Sequence, residues 1–320
     1  MYGIALWYQH TQADKPLRLG ITFIPDYAQY LGLDVHQTYQ AILGDLGVKQ
    51  LRLVSYWSNI EPVQGQYDFA ELDYEMAQAE AHGAKVSLSI GLRQPRWPEC
   101  HPPSWIDTTQ PASTWQPQLN AYMSAVINRY KHSPALQSYQ LENEFYLSAF
   151  GDCHNFDRTR LQSELALVKR LDPHHTVIMS RSNNYAGLAL RAPLPDVVGI
   201  SLYRHVWNGV PLHRYITYPF PSWYYAFLAG AEQIATGKPS VIHELQTEPW
   251  PPNGQDILGT SLGEQNKTFD AAKFRATVAF GKQSGIRNID LWGAEYWYYR
   301  AQTLHDPSVW NSAKAMFSQP

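Results

Sequence analysis

Along the 320 residues, a short run of strand-forming residues is followed eight times by a segment of different periodicity, mostly helical. This alternation limits the fold more than any other feature. The strand-like runs are 18–24, 50–57, 85–92, 136 onward into Asn143–Glu144, 176–182, 197–203, 240–245 and 288–297. The first helical segment, 34–46, spaces Val35, Tyr39, Ile42 and Leu46 for one apolar face and stops at Gly47. Segments 70–83, 114–131, 158–172, 222–237, 269–285 and 307–317 follow, and Gly83, Gly237 and Gly285 close three of them. Strands joined by crossover helices are parallel. Eight such units in roughly 300 residues predict the α/β class and a single (β/α)8 TIM barrel spanning the whole chain. A doubly wound open sheet is the competing fold. It would need a Gly-rich phosphate turn after the first strand, where the chain instead reads Gly20-Ile21-Thr22-Phe23-Ile24.

Long loops are expected after strands three, four and six. Residues 93–112 are rich in Pro and Trp, and 204–222 are rich in aromatics. Aromatic residues make up 13% of the chain, with 11 Trp and 21 Tyr, more than a core requires. Rings with an apolar face and a polar edge suit sugars or a protein partner. The net charge of −3 gives no reason to expect nucleic acid or an anionic membrane as partner. No run reaches the ~18 apolar residues of a membrane span. The opening residues, Met1 to His10, do not read as an intact signal peptide, which leaves a removed leader or anchor open. Cys100 and Cys153 are too few for a disulfide framework, and no Cys/His cluster calls for a metal. No cofactor is expected either.

The most informative residues close the strands. The fourth run ends in the polar pair Asn143–Glu144, and the seventh ends in Glu244. Charged side chains in such places are rarely buried unless paired or functional. In a barrel the C-terminal strand ends share one mouth, which is expected to hold Arg52, Asn143, Glu144, Tyr203, Glu244 and Trp292. Two glutamates there are the raw material of two-carboxylate chemistry. Each has a competitor. Glu142 would share a face with Glu144, but Glu144 lies further out, beside Asn143. Glu248 follows Glu244, but the strand is too short to carry it into the mouth. His243 alternates away from Glu244 and is assigned to packing behind the sheet. Arg52 inside an apolar strand wants a carboxylate partner.

The run YQLENEFY (139–146) resembles the acid/base strand of the clan A glycoside hydrolases, which are retaining (β/α)8 enzymes; its wording is nearest to the β-galactosidase families 35 and 42. WSNIEPVQGQYDF (57–69) resembles a segment of families 42, 10 and 5. The resemblance implies that Glu144 is the general acid/base and Glu244 the nucleophile. Asn143 would then hydrogen-bond a sugar 2-hydroxyl, Tyr203 would orient Glu244 with Arg52 near it, and Trp292 would floor the site. His205 becomes a subsite ligand, and Glu295 either meets sugar hydroxyls or forms a salt bridge. One departure follows strand three, where some members offer a His. This chain has Gly91-Leu92-Arg93, which leaves that contact open.

The function so implied is hydrolysis of β-linked oligo- or polysaccharide of β-glucan or β-mannan type, with retention. An exo-acting β-galactosidase is the alternative within the class, and a catalytically silent carbohydrate-binding barrel the alternative outside it. Trp97, Trp105, Trp207, Trp223 and Trp250 lie in or beside the loops, either packing them or stacking on pyranose faces. Cys100 and Cys153 fall in loops after adjacent strands. They are expected either to bridge, which implies an extracellular or cell-surface setting, or to remain two buried thiols. Oligomeric state leaves no trace in the sequence.

Overall fold

The computed structural model describes residues 1–147, 150–154, 156–182 and 187–318. Among these residues lie ten strands: β1 Arg18–Thr22, β2 Gln50–Val54, β3 Lys85–Ile90, β4 Leu136–Leu141, β5 Thr176–Ser182, β6 Val197–Leu202, β7 His205–Asn208, β8 Arg214–Thr217, β9 Ser240–Gln246 and β10 Asn288–Trp292. Eight of them close into a barrel in the order β1-β10-β9-β6-β5-β4-β3-β2, with helices between strands as in a (β/α)8 fold. β7 and β8 form a separate antiparallel ribbon. The chain divides into two compact units.

One unit comprises Leu51–Ile200 and Ala235–Ser240. In it β3 pairs with β4 in parallel, Leu88 beside Tyr139, and β4 pairs with β5, Ser138 beside Thr176. The helix Ala112–Tyr130 buries Trp115, Leu119, Tyr122, Met123, Val126, Ile127 and Tyr130. That 3–4 spacing is one face of an α-helix, and each such side chain contributes about 1.5–3 kcal/mol on burial. Asp157 caps the helix Arg158–Leu171 by accepting from Thr159 N at 2.8 Å. Among the described residues no helix lies between β5 and β6.

The other unit comprises Met1–Gln50, Ser201–Ile234 and Val241–Pro320. Here β10 pairs in parallel with β1 and with β9. Asp34 caps the helix Val35–Gly44 through Gln37 N at 2.7 Å, and Tyr39, Ile42 and Leu46 are buried as the apolar spacing predicts. Three features depart from the sequence reading. A helix, Tyr2–Gln12, precedes β1. The expected loop 204–222 contains the β7–β8 ribbon, where Trp207 sits opposite Tyr215 with ring centroids 5.0 Å apart. The eighth run stops at Trp292 rather than 297. Gly293 turns left-handed at φ 103°, and the helix Ala294–Gln302 begins. Its residues 294–300 are all buried, so the run shows no amphipathic period to separate helix from strand.

Candidate active site

In the first unit the chain leaves β4 at Leu141 and enters an unusual backbone. Glu142 and Glu144 have φ of 52° and 43°, a region that costs a non-glycine residue about 1–2 kcal/mol. Dedicated contacts hold it there. Glu142 is fully buried, accepts from Leu92 N at 2.6 Å and pairs with Arg160 at 3.2 Å. Gly91 makes room for it, because a Cβ at that position would lie 2.5 Å from Glu142 Oε1. Asn143 N donates to Arg93 O at 2.7 Å, and Arg93 Nε donates back to Asn143 O at 2.5 Å. The Asn143 side-chain oxygen accepts from Arg52 Nη2 (2.8 Å), Gln140 Nε2 (2.8 Å) and Ser180 Oγ (3.1 Å). Its nitrogen donates to Glu99 Oε2 at 2.9 Å. Arg52 Nε donates to Gln140 Oε1 at 2.6 Å. Glu144, only 4% exposed, donates its backbone N–H to Ser180 Oγ at 2.9 Å. The loop after β3 is tied to that after β4 by a disulfide between Cys100 and Cys153.

In the second unit Glu244 lies within β9, whose seven residues are all buried. The Tyr203 hydroxyl, one residue past β6, donates to Glu244 Oε2 at 2.9 Å. Gln246 stitches this exit in place. Its Oε1 accepts from Arg204 N (2.8 Å) and His205 N (2.9 Å), and its Nε2 donates to His205 O (2.7 Å). Trp250 meets Tyr203 edge to face at 5.7 Å. Trp292 Nε1 donates to Glu248 Oε1 at 2.7 Å, and a Cβ on Gly293 would come within 2.7 Å of Glu248 Cβ.

Residues 34–115 match the sequence profile of glycoside hydrolase family 42, described as beta-galactosidase. A β-galactosidase of Clostridium cellulovorans, BgaA, is 22% identical over 204 residues, covering 56% of this chain and 29% of its own. A β-galactosidase of Halorubrum lacusprofundi is 22% identical over 49% of this chain and 25% of its own, so this chain spans under a third of either relative. Among solved structures, an exo-β-1,4-mannosidase from Opitutaceae bacterium strain TAV5 superposes with a TM-score of 0.59 at 16% identity, over 86% of this chain and 51% of that one. A GH5_18 protein from Bifidobacterium longum subsp. infantis gives 0.62 at 14% identity, over 95% and 80%. The fold shared with these structures is the (β/α)8 barrel.

Of the residues matched to the clan's pattern, Arg52, Asn143 and Glu144 fall in the first unit, with Arg52 and Asn143 in direct contact. Tyr203, Glu244 and Trp292 fall in the second, together with the further candidates His205, Trp250 and Glu295, and there Tyr203 touches both Glu244 and Trp250. His205 Nδ1 shares a hydrogen with Thr217 Oγ1 at 2.9 Å; burial, then the nearby Arg204 and Lys273 charges, hold its pKa below the usual imidazole value. Glu295 is buried and accepts from Ile24 N at 2.5 Å, ahead of the helix Pro25–Tyr30. Trp97, 64% exposed, packs edge-on to Phe150. His243 pairs with Asp290 at 2.7 Å.

Sequence reasoning missed Glu99, Gln140, Ser180 and Gln246, and it saw Glu248 only as a rival to Glu244. The clue to Glu99 was the Gly91-Leu92-Arg93 departure, since Arg93 Nη2 lies 3.8 Å from its carboxylate. In this chain that tripeptide makes room for Glu142, donates to it, and holds Asn143.

Proposed function

We propose that the chain is a retaining β-glycoside hydrolase, with Glu244 as nucleophile and Glu144 as general acid/base. The observation that carries this reading is that Glu144 stands just past the end of β4 and Glu244 near the end of β9 in one closed barrel, Glu244 with the Tyr203 hydroxyl on its carboxylate. In the first step Glu244 attacks the anomeric carbon, and Glu144 gives its proton to the departing glycosidic oxygen. In the second, Glu144 takes a proton from water, whose oxygen displaces Glu244 from the sugar. Asn143, its carbonyl already saturated, offers an amide N–H to the sugar 2-hydroxyl. Trp292, anchored by Glu248, forms the apolar floor.

The substrate class proposed is a β-linked oligo- or polysaccharide of glucan or mannan type. The exposed Trp97 and the half-buried Trp250 support it as stacking surfaces. The family 42 match favours a second reading, an exo-acting β-galactosidase. The Cys100–Cys153 bridge supports action outside the reducing cytosol.

Glu244→Ala tests the assignment. Turnover of an aryl β-glycoside falls by about four orders of magnitude, and added azide restores it with formation of the α-glycosyl azide. Full activity in that variant would end the assignment. Glu144→Gln loses activity most on substrates with poor leaving groups. Sizing the products from a panel of β-glucans, β-mannans and β-galactosides then separates the two substrate readings.

A further inference from the structure

Glu99 has no counterpart among the residues matched to the clan's pattern. It lies on the loop after β3, is 3% exposed, and adopts φ +74°, with Arg96 nearby at +82°. A non-glycine residue keeps such a conformation only where its surroundings over-determine it. Here they do. Glu99 N donates to Arg96 O and Gln94 N donates to Glu99 O, both at 2.8 Å. The next residue is bridged to Cys153. Asp152 N donates to Pro98 O at 2.9 Å, and Gly151 fits against Glu99 only because it has no Cβ, which would lie 2.8 Å from that of Glu99. The outcome of this bracing is a buried carboxylate 2.9 Å from Asn143 Nδ2 and 3.8 Å from Arg93 Nη2.

We propose that Glu99 is a positioning residue that fixes the orientation of the Asn143 amide for substrate. The chemistry is one of donors and acceptors. Asn143 Oδ1 faces three donors, from Arg52, Gln140 and Ser180, and Nδ2 faces one carboxylate. Rotating the amide by half a turn would set its oxygen against the carboxylate and its N–H groups against the guanidinium, which is unfavourable at both ends. Glu99 therefore locks the nitrogen on its own side and takes one of its two hydrogens. The second meets no acceptor among the described residues and is the one a ligand hydroxyl would take. The loop after β3 thus works through Asn143 instead of supplying a side chain of its own.

The proposal rests on the reading that Asn143 meets the sugar 2-hydroxyl. Its test is a ratio: kcat/KM for the 4-nitrophenyl β-glycoside that the wild type hydrolyses fastest, divided by that for the 2-deoxy analogue. Asn143→Ala sets the floor of this ratio. Glu99→Ala is expected to lower the ratio about tenfold towards that floor, the worth of one charge-assisted hydrogen bond. The double variant falls no further than Asn143→Ala alone. Glu99→Gln, which keeps an acceptor oxygen and the side-chain shape, recovers part of the ratio and guards against a folding artefact. A purely structural Glu99 would lower both substrates equally, and an unchanged ratio in Glu99→Ala and Glu99→Gln would overturn the proposal. If Asn143→Ala itself leaves the ratio unchanged, the functional reading of Asn143 falls, whatever Glu99 does.

Discussion

Glu244 lies inside a strand, whereas Glu144 lies three residues beyond the end of one. In the unit that carries Glu244, β9 runs regularly through seven buried residues, and its register aims the side chain. The Tyr203 hydroxyl adds one hydrogen bond to the carboxylate. In the unit that carries Glu144, the strand's guidance has ended. Two left-handed residues bracket Asn143, each costing about 1–2 kcal/mol, and a web of buried hydrogen bonds offsets that cost. The web includes Arg52, Gln140, Ser180, Arg93 and Glu99. Register orients a residue within a strand at little cost, but every dihedral past its end needs a dedicated partner. It follows that activity and stability are coupled around Glu144 and separable around Glu244.

The largest expected break of this contrast is at the disulfide. Cys100→Ser with Cys153→Ser opens a loop with a sequence separation of 53 residues. The chain-entropy model puts the loss near 4 kcal/mol at 25 °C. Urea unfolding of the double variant should show it, with activity falling in parallel as Glu99 loosens. Unchanged activity in a destabilised protein would mean that the bridge serves stability alone. Next comes Arg52→Met, which removes charged hydrogen bonds to Gln140 and Asn143 inside a fully buried site. We expect about 3 kcal/mol less stability and a ten- to hundredfold lower kcat together. A variant that loses only one of the two would show the coupling to be false.

The contrast also explains what the sequence could reveal. Strand runs, glycine helix stops and the capped helix Val35–Gly44 were legible because they are local patterns of period and propensity. The place of Glu244 in a strand was legible because it lies within such a pattern. Asn143–Glu144 could be found, but their support could not. Glu99 meets Asn143 across 44 residues of chain, through a left-handed turn that no propensity encodes. The β7–β8 ribbon and the end of β10 at Trp292 were missed for another reason. Both lie in aromatic-rich stretches where strand, loop and buried helix look alike.

Tyr203→Phe sharpens the contrast from the other side. It deletes the hydroxyl on Glu244 but leaves the ring, which still packs edge-on to Trp250. Losing one hydrogen bond to a carboxylate is worth about 2 kcal/mol, so kcat should fall some thirtyfold. The melting temperature should barely move, because the register of β9 already aims Glu244. A large drop in melting temperature would mean that this unit is as tightly coupled as the other.

The last test, read as a slope with pH, concerns the support behind Glu144. Arg160 donates to Glu164 Oε1 at 2.5 Å and pairs with Glu142 at 3.2 Å, so two buried carboxylates share one guanidinium. Burial, the dominant cause, and the Glu142 charge outweigh Arg160 and push Glu164 up to about 8. Its Oε2 has no hydrogen-bond partner among the described residues, which suits a neutral acid better than an anion. Between the ordinary carboxylate range and that value, the folded chain holds a proton that the unfolded chain has released. Stability must therefore fall as pH rises through this window, by at most about 1.4 kcal/mol per pH unit. Glu164→Gln keeps an oxygen for Arg160 and removes the titration, so its stability should stay flat where the wild type declines. Denaturant unfolding at pH 5, 6, 7 and 8 measures both slopes. Equal slopes would show that Glu164 is ionised in the fold, leaving Arg160 shared between two full charges and the turn at Glu142 more weakly braced than the geometry implies.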